Sequence, residues 1–269
     1  MSEYLSVDEI KQEEVQLLLE FKQICQEHGL RFVLVGGTLL GAVRHKGFIP
    51  WDDDIDVGMP RPDFQAFVQL FHEGLLPQNR SLEVVSGNDE HPEFVKYVHD
   101  QICAKSHFTD VMEHLWIDVF PIDGLPSDNA ELASMYRKAH IYQRLLWLSV
   151  ADTTDGKSRL RKRAKQILVP IAKRLRIGLV AAKGLEELGL RHSFEGSAYV
   201  GIVAWGLYGT GERYPKSGFD PLVEVQFEGY AFPAVNCWDE YLRGIYGDYM
   251  KLPPAEKRIS NHDLKVWRI

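Results

Sequence analysis

The stretch Gly36-Gly37-Thr38-Leu39-Leu40-Gly41, followed by Trp51-Asp52-Asp53-Asp54-Ile55-Asp56-Val57, decides how this chain is interpreted. Its first part places a glycine pair directly after the apolar run 31–35, and its second part places four aspartates within five residues. Backbone N–H groups at a glycine turn that opens a helix bind anions such as phosphate. Clustered carboxylates bind divalent cations. Together the two parts suggest metal-assisted chemistry on a nucleotide.

The glycine segment alone allows two interpretations, an anion-binding turn or a tight turn in front of a capped helix. It is not a dinucleotide fingerprint, because Thr38 stands where the second glycine would be needed. It is not a P-loop, because no Lys-Ser or Lys-Thr follows Gly41 at the required offset. The aspartates that follow must therefore decide between the two interpretations.

Alternation of acidic and apolar residues predicts a short strand over 54–57, with Asp54 and Asp56 on one face and Ile55 and Val57 on the other. Two carboxylates on one face can share a hard cation, and Mg²⁺ or Mn²⁺ suits oxygen ligands and phosphate substrates. A solvated acidic loop is the alternative, but such loops seldom alternate with Ile and Val. Asp52 and Asp53 either support the ligands or cap the strand.

A third carboxylate is expected, because metal-assisted phosphoryl transfer uses more than a pair of acids. Asp118 is a lone acid in the apolar run 116–120, where burial of a charge is costly unless the charge is used. It is the candidate for either a metal ligand or a base. Asp123, which lies just beyond in Pro-Ile-Asp-Gly, is interpreted as a turn residue.

Length and composition indicate a globular protein with one large domain or two small ones. The chain has 269 residues, 45% hydrophobic and 26% charged, and a net charge of −7 that argues against a general nucleic-acid binder. The longest apolar run, 32–43, is 12 residues long, whereas a membrane-spanning helix needs about 20. With an acidic N-terminus that lacks a secretory pattern, the chain is expected in the cytoplasm, where it could contact the inner face of the membrane.

Cysteine usage points to a reducing compartment. The three cysteines Cys25, Cys103 and Cys237 are far apart and form no CxxC pair, so neither a disulfide framework nor structural zinc is expected.

Periodicity predicts an α+β protein in which a mixed sheet is flanked by helices, since the elements do not alternate strictly as β-α-β. The predicted helices are 8–28, 38–45, 64–71, 129–150, 157–175 and 238–246, and the predicted strands are 31–35, 54–57, 82–86, 94–98, 102–108, 115–120 and 223–227. Ser6 and Glu9 form a capping-box pattern, Gly29 stands where a helix would end, and Pro170 is expected to kink its helix.

The segment 157–176 carries nine basic residues and no acidic one. Apolar residues recur there at helical spacing, opposite the basic face. This basic helix could contact an anionic membrane surface, bind an anionic acceptor, or simply be solvated.

Four segments resemble the LicD family of the nucleotidyltransferase-fold superfamily: 36–44, 47–57, 118–126, and 246–254 with Arg258 and His262. The likeness extends from about residue 8 to 262, loosely over 130–200. It implies a nucleotidyltransferase-like mixed sheet with an added helical and C-terminal region. We expect a catalytic core at 1–127, and a helical insert and C-terminal region at 128–269 that complete the active site.

The resemblance also implies an activity. LicD-type proteins move phosphocholine from CDP-choline onto a sugar of a teichoic acid or lipopolysaccharide precursor and release CMP, and the related fukutin proteins move ribitol phosphate. The expected partners are therefore CDP-choline or another CDP-alcohol, such as a ribitol or glycerol donor, and a glycan or lipid-linked glycan acceptor. The zinc-binding cysteines of some eukaryotic relatives have no counterpart here.

The resemblance also implies roles for the residues at matching positions of this sequence. Asp54, Asp56 and Asp118 are implied to be catalytic and to hold the metal. Gly36, Gly37 and Thr38 are implied to contact the donor phosphates, and Arg44 and Lys46 either add positive charge there or are ordinary surface residues. A choline ammonium needs aromatic faces, and the candidates are Trp51, Trp116, Trp205, Tyr208 and Tyr246. The expected substrate pocket takes Trp51, Trp116 and Tyr246 from these, with Arg258 and His262 from the terminal motif. Most buried tryptophans are simply core, and only Trp51 is distinguished by its place beside the aspartates.

Three other functions remain open. The chain could be a nucleotidyltransferase that uses a nucleoside triphosphate, a binding module with a dead site, or a phosphate-anhydride hydrolase. Asp54, Asp56 and Asp118 are all present, which argues against a dead site. No histidine is marked as a water-activating base, which argues against the hydrolase.

Overall fold

The computed structural model describes residues 4–84, 92–105, 113–151, 153, 159–258 and 265–269. The helices are α1 Val7–Glu27, α2 Gly36–His45, α3 Arg61–His72, α4 Asn129–Val150, α5 Arg159–Arg174, α6 Ile177–Gly189 and α7 Trp238–Tyr246. The strands are β1 Val33–Leu34, β2 Asp56–Pro60, β3 Arg80–Glu83, β4 Val95–Lys105, β5 Glu113–Leu125, β6 Tyr199–Ile202, β7 Tyr214–Pro215, β8 Val223–Phe227, β9 Tyr230–Ala234 and β10 Lys265–Arg268.

Eight of these strands form one mixed sheet. Its main order is β1-β2-β5-β4-β10; β3 also pairs with β4, and β6 pairs with β5 and β7. In the described part of the chain, β2 and β5 are the parallel pair and the other pairs are antiparallel. The remaining strands, β8 and β9, form a separate hairpin. This arrangement confirms the predicted α+β class.

The main core lies between α1 and the sheet. Phe21 of α1 is fully buried and packs edge-on against Phe32 and Phe67, with ring centroids 5.2 and 5.0 Å apart. Burying a phenylalanine contributes about 1.5–3 kcal/mol relative to leaving it exposed. The predicted capping box is present, since the Glu9 N–H donates to the Ser6 hydroxyl and the Ser6 N–H donates to the Glu9 carboxylate. Local sequence thus starts α1, and core packing stabilises it.

A second, smaller core lies under the helices of the middle region. Leu132 and Tyr136 of α4 pack there with Leu185 of α6 and Val203. The eight-stranded sheet nevertheless takes β6, β7 and β10 from beyond residue 128. The two predicted regions therefore share one sheet, and the boundary at 127/128 stays a prediction.

Most predicted elements are present with shifted ends. α1, α3, α4, α5, α7 and β8 match their predictions within a few residues, and Pro170 lies inside α5. The predicted strand 31–35 is shorter, because only 33–34 pair with β2. Strands 94–98 and 102–108 form one strand, β4, with an irregular register between His99 and Cys103. Residues 85–86 and 106–108 of the predicted strands lie outside the described residues.

Five of the helices and strands were not predicted at all: α6, β6, β7, β9 and β10. α6 follows α5 after a two-residue turn, and β10 adds the last described residues to the edge of β4. Among the described residues, no helix has both the length and the apolar character needed to cross a membrane.

Candidate active site

The glycine pair forms the first turn of α2 and is not a turn in front of it, which corrects the sequence prediction. Gly36 has φ of +53°, a conformation that glycine adopts readily. A Cβ on Gly36 would lie 3.0 Å from Asp56 Oδ2, and one on Gly37 would lie 2.8 Å from Asp52 Oδ2. Glycine is therefore needed here because the helix N-terminus and the aspartates approach each other closely.

Thr38 ties this helix to the acidic strand. Its hydroxyl is buried and accepts a hydrogen bond from the Asp56 backbone N–H at 2.8 Å. The Gly36 N–H donates to the Tyr241 hydroxyl of α7 at 3.2 Å. The first turn of α2 is thereby held between the strand that carries Asp56 and a helix from the far end of the chain.

Asp56 and Asp118 stand directly opposite each other on the parallel strands β2 and β5. Because residues paired in register point to the same face of a sheet, the two side chains share one face, on strands that lie about 4.8 Å apart. The Asp118 N–H donates to the Ile55 carbonyl at 2.9 Å, and Trp116 Nε1 donates to Asp118 Oδ2 at 3.0 Å. The structure therefore brings together two of the three predicted catalytic acids.

Asp54 lies two residues before the start of β2, so the prediction that it belongs to this strand is wrong. The strand begins at Asp56, where pairing with β1 and β5 takes over. Asp54 is still close enough to act on Asp56. Burial first, and then the negative charges of Asp54, Asp118, Asp52 and Glu212, raise the pKa of Asp56 well above its usual value.

This crowding of carboxylates fits the expected metal by its chemistry. A divalent cation would neutralise acids that repel one another, and all the donors are oxygens, as Mg²⁺ and Mn²⁺ prefer. Within the described residues, no group of three or more His, Cys, Asp or Glu side chains is arranged so as to hold a metal ion. The metal therefore stays a prediction.

Two buried acids at this site were missed in the sequence. Glu14 of α1 is 2% exposed, and its Oε2 has no hydrogen-bond partner in the described residues. Burial, followed by the charges of Asp54 and Asp53, raises its pKa well above the usual value. A signal was present, because Glu14 lies at helical spacing from the buried residues Ile10 and Leu17.

Glu212 is the second missed acid. It ends a short 3-10 turn, Gly209–Glu212, and is 4% exposed. Its Oε1 accepts the Tyr208 N–H at 3.3 Å, and burial raises its pKa to about 8. No periodic pattern surrounds Glu212, so the sequence offered no signal for its burial.

Arg44 and Lys46 occupy different environments at the end of α2. Arg44 Nη1 donates to the Tyr249 carbonyl at 2.6 Å, and burial lowers the pKa of its guanidinium. Arg44 therefore joins α2 to the C-terminal segment. Lys46 is exposed and ends the helix with φ of +63°.

The predicted substrate pocket is only partly assembled. The Arg258 guanidinium lies 5.6 Å from the Trp51 ring centroid, so these two residues are together. Trp116 has Lys96 Nζ 3.6 Å from its ring centroid, and its indole N–H holds Asp118. His262 lies outside the described residues.

Tyr246, the remaining residue of the predicted pocket, packs against Tyr208, which is partly exposed. Its ring meets that of Tyr208 edge to face, with centroids 5.0 Å apart, and the two side chains share a hydrogen bond. The charge of Asp56 contributes to raising the pKa of both tyrosines, after the larger effect of burial. This pair therefore places aromatic surface within electrostatic reach of the acidic cluster.

The tip of the β8–β9 hairpin holds the loop that leads from α2 to the aspartates. The Glu228 N–H donates to the Lys46 carbonyl at 2.9 Å, and Glu228 Oε1 accepts the Phe48 N–H at 3.0 Å. Glu228 and Gly229 have φ of +49° and +83°, as a two-residue hairpin turn requires. This positioning role was missed, because it depends on a contact between residues 180 positions apart.

Asp123 is not a turn residue, which corrects the prediction. It lies within β5 opposite Gly201 and is fully buried. Its carboxylate accepts two hydrogen bonds from Arg61 of α3, at 2.6 and 3.0 Å. Long-range pairing with β6 extends the strand past the Pro-Ile-Asp-Gly sequence that suggested a turn.

Comparison with known proteins gives matches over part and over most of the chain. Residues 29–153 match the family described as LicD/FKTN/FKRP, nucleotidyltransferase domain. The chain is 28% identical over 258 residues to the lipopolysaccharide cholinephosphotransferase LicD of Haemophilus influenzae, and the match covers 92% of each chain. The chain therefore resembles the LicD family, through a domain match over residues 29–153 and a longer match to one relative. The matched domain contains the start of α2 together with Asp54, Asp56 and Asp118.

Other proteins match this chain over shorter lengths. The human ribitol 5-phosphate transferase FKRP is 50% identical over 47 residues, which cover 18% of this chain and 10% of that protein. An uncharacterised protein of Rickettsia typhi is 27% identical over 179 residues, covering 58% of this chain and 55% of that protein. Glu14, Glu212 and α5 lie outside the matched family domain.

Proposed function

We propose that this protein is an enzyme that transfers a phospho-alcohol group from a CDP-alcohol to a sugar of a cell-surface glycan precursor, releasing CMP. Phosphocholine from CDP-choline is the preferred cargo, and lipopolysaccharide or teichoic acid precursors are the acceptor class. The observation that carries the proposal is the side-by-side placement of Asp56 and Asp118 against the glycine-opened N-terminus of α2. The match to a cholinephosphotransferase over nearly the whole chain supports it.

Each part of the site has a role in this reaction. Asp54 and Asp56 would hold Mg²⁺ or Mn²⁺, with Asp118 either as a third ligand or as the base, and the metal when bound would supply positive charge to the donor diphosphate. The N-terminus of α2 at Gly37 and Thr38 would bind a donor phosphate through backbone N–H groups. Because the Thr38 hydroxyl holds the Asp56 backbone, the phosphate site and the carboxylates keep a constant separation.

The acceptor sugar hydroxyl must lose a proton as it attacks the distal phosphorus. Asp118 is our candidate to take that proton, because Trp116 holds one of its oxygens in a defined orientation. Asp56 is assigned to the metal instead, because its Oδ2 lies close to Gly36 at the N-terminus of α2, where the donor phosphate would bind.

A choline cargo would need aromatic surface for its quaternary ammonium. Tyr208 and Tyr246, whose rings meet edge to face, are our candidates for such a surface. The rings of Trp51 and Trp116 already face the cations of Arg258 and Lys96, so we assign them a smaller part in binding the cargo. Ribitol phosphate is the second candidate cargo, because a short segment is half identical to a ribitol 5-phosphate transferase.

Donor profiling tests the proposal. The purified chain would be incubated with Mg²⁺, a glycan acceptor and one of CDP-choline, CDP-ribitol, CDP-glycerol or a nucleoside triphosphate. We expect acceptor-dependent release of CMP, fastest with CDP-choline. Pyrophosphate release from a nucleoside triphosphate would instead identify a nucleotidyltransferase.

Substitutions of the acidic cluster provide the matched test of the site. Asp54→Asn and Asp118→Asn should each lower the transfer rate by about 100-fold or more, because each removes a charge that the reaction uses. Asp8→Asn, in the exposed first turn of α1, is the control and should leave the rate unchanged. Full activity in either cluster variant would contradict the assignment.

A further inference from the structure

Helix α5 exposes apolar side chains that an ordinary amphipathic helix would bury. Ile167, Leu168, Ile171 and Leu175 are 48–64% exposed and recur at helical spacing on one side of the helix and the turn that ends it. We call these four residues the α5 stripe. It is a contiguous apolar surface left unused by the fold.

The stripe is not the face by which α5 packs on the protein. Val169 and Ala172 are each 1% exposed and provide that packing. α6 follows directly and exposes Leu179 and Val180 in its first turn. Exposed apolar side chains therefore occur on both sides of the turn between the two helices.

Exposed basic side chains occur along the same helix and the turn that ends it. Those that the structure describes as exposed are Lys162, Arg163, Lys173, Arg174 and Arg176. The whole segment 157–176 carries nine basic residues and no acidic one, in a chain whose net charge is −7. The surface thus combines apolar side chains with a positive charge opposite to that of the molecule.

We propose that α5 and the first turn of α6 dock on an anionic lipid surface. Apolar side chains beside lysines and arginines suit the boundary between acyl chains and anionic headgroups. A second copy of this chain fits less well, because a twofold contact through the stripe would bring two sets of basic residues together. As no described helix can span a membrane, the contact is peripheral.

This inference does not rest on the proposed function. Vesicle binding can be measured without donor or acceptor, so binding without transfer would count only against the proposed reaction. If both hold, docking would bring the enzyme close to lipid-linked acceptors.

Flotation of the full-length chain with vesicles tests the inference. The vesicles contain phosphatidylcholine alone or mixed with the anionic lipid phosphatidylglycerol. We expect binding to the mixed vesicles only, weakened by added salt. Circular dichroism would check that each variant is folded.

Two variants separate the apolar from the electrostatic contribution. Ile167→Ser with Ile171→Ser, and Lys173→Gln with Arg174→Gln, should each weaken binding by about tenfold or more. Leu75→Ser, an exposed apolar residue after α3, and Lys251→Gln with Lys257→Gln are the matched controls and should bind as the wild type does.

Two results would overturn the inference. The first is that the wild type does not bind the mixed vesicles, or that the stripe and basic variants bind them as well as the wild type does. The other is a dimer, seen by sedimentation without vesicles, that the stripe variants dissolve. That result would assign the surface to a second copy of the chain.

Discussion

At the scale of single residues, buried acids are the main feature of the candidate site. Glu14, Asp56 and Glu212 all have a raised pKa, and burial is the largest cause for each. Such groups lower the stability of a fold when they ionise, so they persist where their charge or proton is used. Substituting one of these acids should therefore change the stability of the fold and the activity of the site by different amounts.

Glu212 predicts a pH dependence of stability. Its pKa is about 8 in the folded protein and 4.5 in the reference state, so the unfolded chain loses the proton first as pH rises. The stabilising effect of the buried neutral carboxyl is complete below pH 4.5 and is lost as pH rises towards 8. Within that window the wild type should lose up to about 1.4 kcal/mol per pH unit relative to Glu212→Gln.

Urea unfolding of both proteins across this pH range measures the difference. Glu256→Gln, at an exposed acid near the C-terminus, is the control and should follow the wild type. Parallel pH profiles for wild type and Glu212→Gln would show that Glu212 titrates normally.

At the scale of elements, long-range polar contacts hold the loops and helices around the aspartates. Arg61 and Asp123 connect α3 to β5, and Glu228 connects the β8–β9 hairpin to the loop after α2. Both contacts join segments that are distant in sequence. We expect the Arg61–Asp123 pair to affect mainly stability, and the Glu228 contact to affect mainly activity.

Asp123→Ala should destabilise the protein by about 3–5 kcal/mol, because it leaves the buried Arg61 guanidinium without its partner. Thermal or urea unfolding measures the loss. Glu187→Ala is the control, because it breaks the exposed Lys183–Glu187 pair and should change stability by less than about 0.5 kcal/mol. Equal effects in the two variants would contradict a structural role for Asp123.

Glu228→Ala should lower the transfer rate by about tenfold with a smaller effect on stability, because a loop that leads to the aspartates loses one of its hydrogen bonds. Glu224→Ala, at an exposed position of β8, is the matched control. A rate unchanged in Glu228→Ala would show that the hairpin tip does not position the site.

At the scale of the whole molecule, the main core draws on both ends of the chain. Phe227, Phe232, Tyr241 and Val266 are buried in the same core as α1 and β5. β10 pairs with β4 along the sheet edge. The region 1–127 therefore depends on later residues for part of its core.

A fragment that ends at residue 127 should fail to unfold cooperatively. It would lose β6 and β10 from the sheet and expose the apolar side chains that they cover. Calorimetry of the fragment and of the full chain makes the comparison. A single cooperative transition in the fragment would show that the predicted core region is an independent domain.

Much of the fold and part of the site could be predicted from local sequence. Helical spacing and the capping box located α1. The acidic motif marked Asp56, and a lone acid in an apolar run marked Asp118, which the structure places opposite each other on β2 and β5. The turn prediction for Asp123 failed, since pairing with β6 overrode the local pattern. α6 was missed because no cap or charge pattern separated it from α5.

The sequence by itself located α1, α3, α4, α5, α7 and β8 to within a few residues, and it indicated which residue types could handle phosphate and metal, because periodicity and residue chemistry are local properties. Only the tertiary structure decided which acids meet. Parallel pairing of β2 with β5 placed Asp118 beside Asp56, and packing buried Glu14 and Glu212 near them. It also decided that the α5 stripe stays exposed, because the helix buries a different face. Burial and proximity depend on contacts between distant residues, which local sequence patterns do not specify.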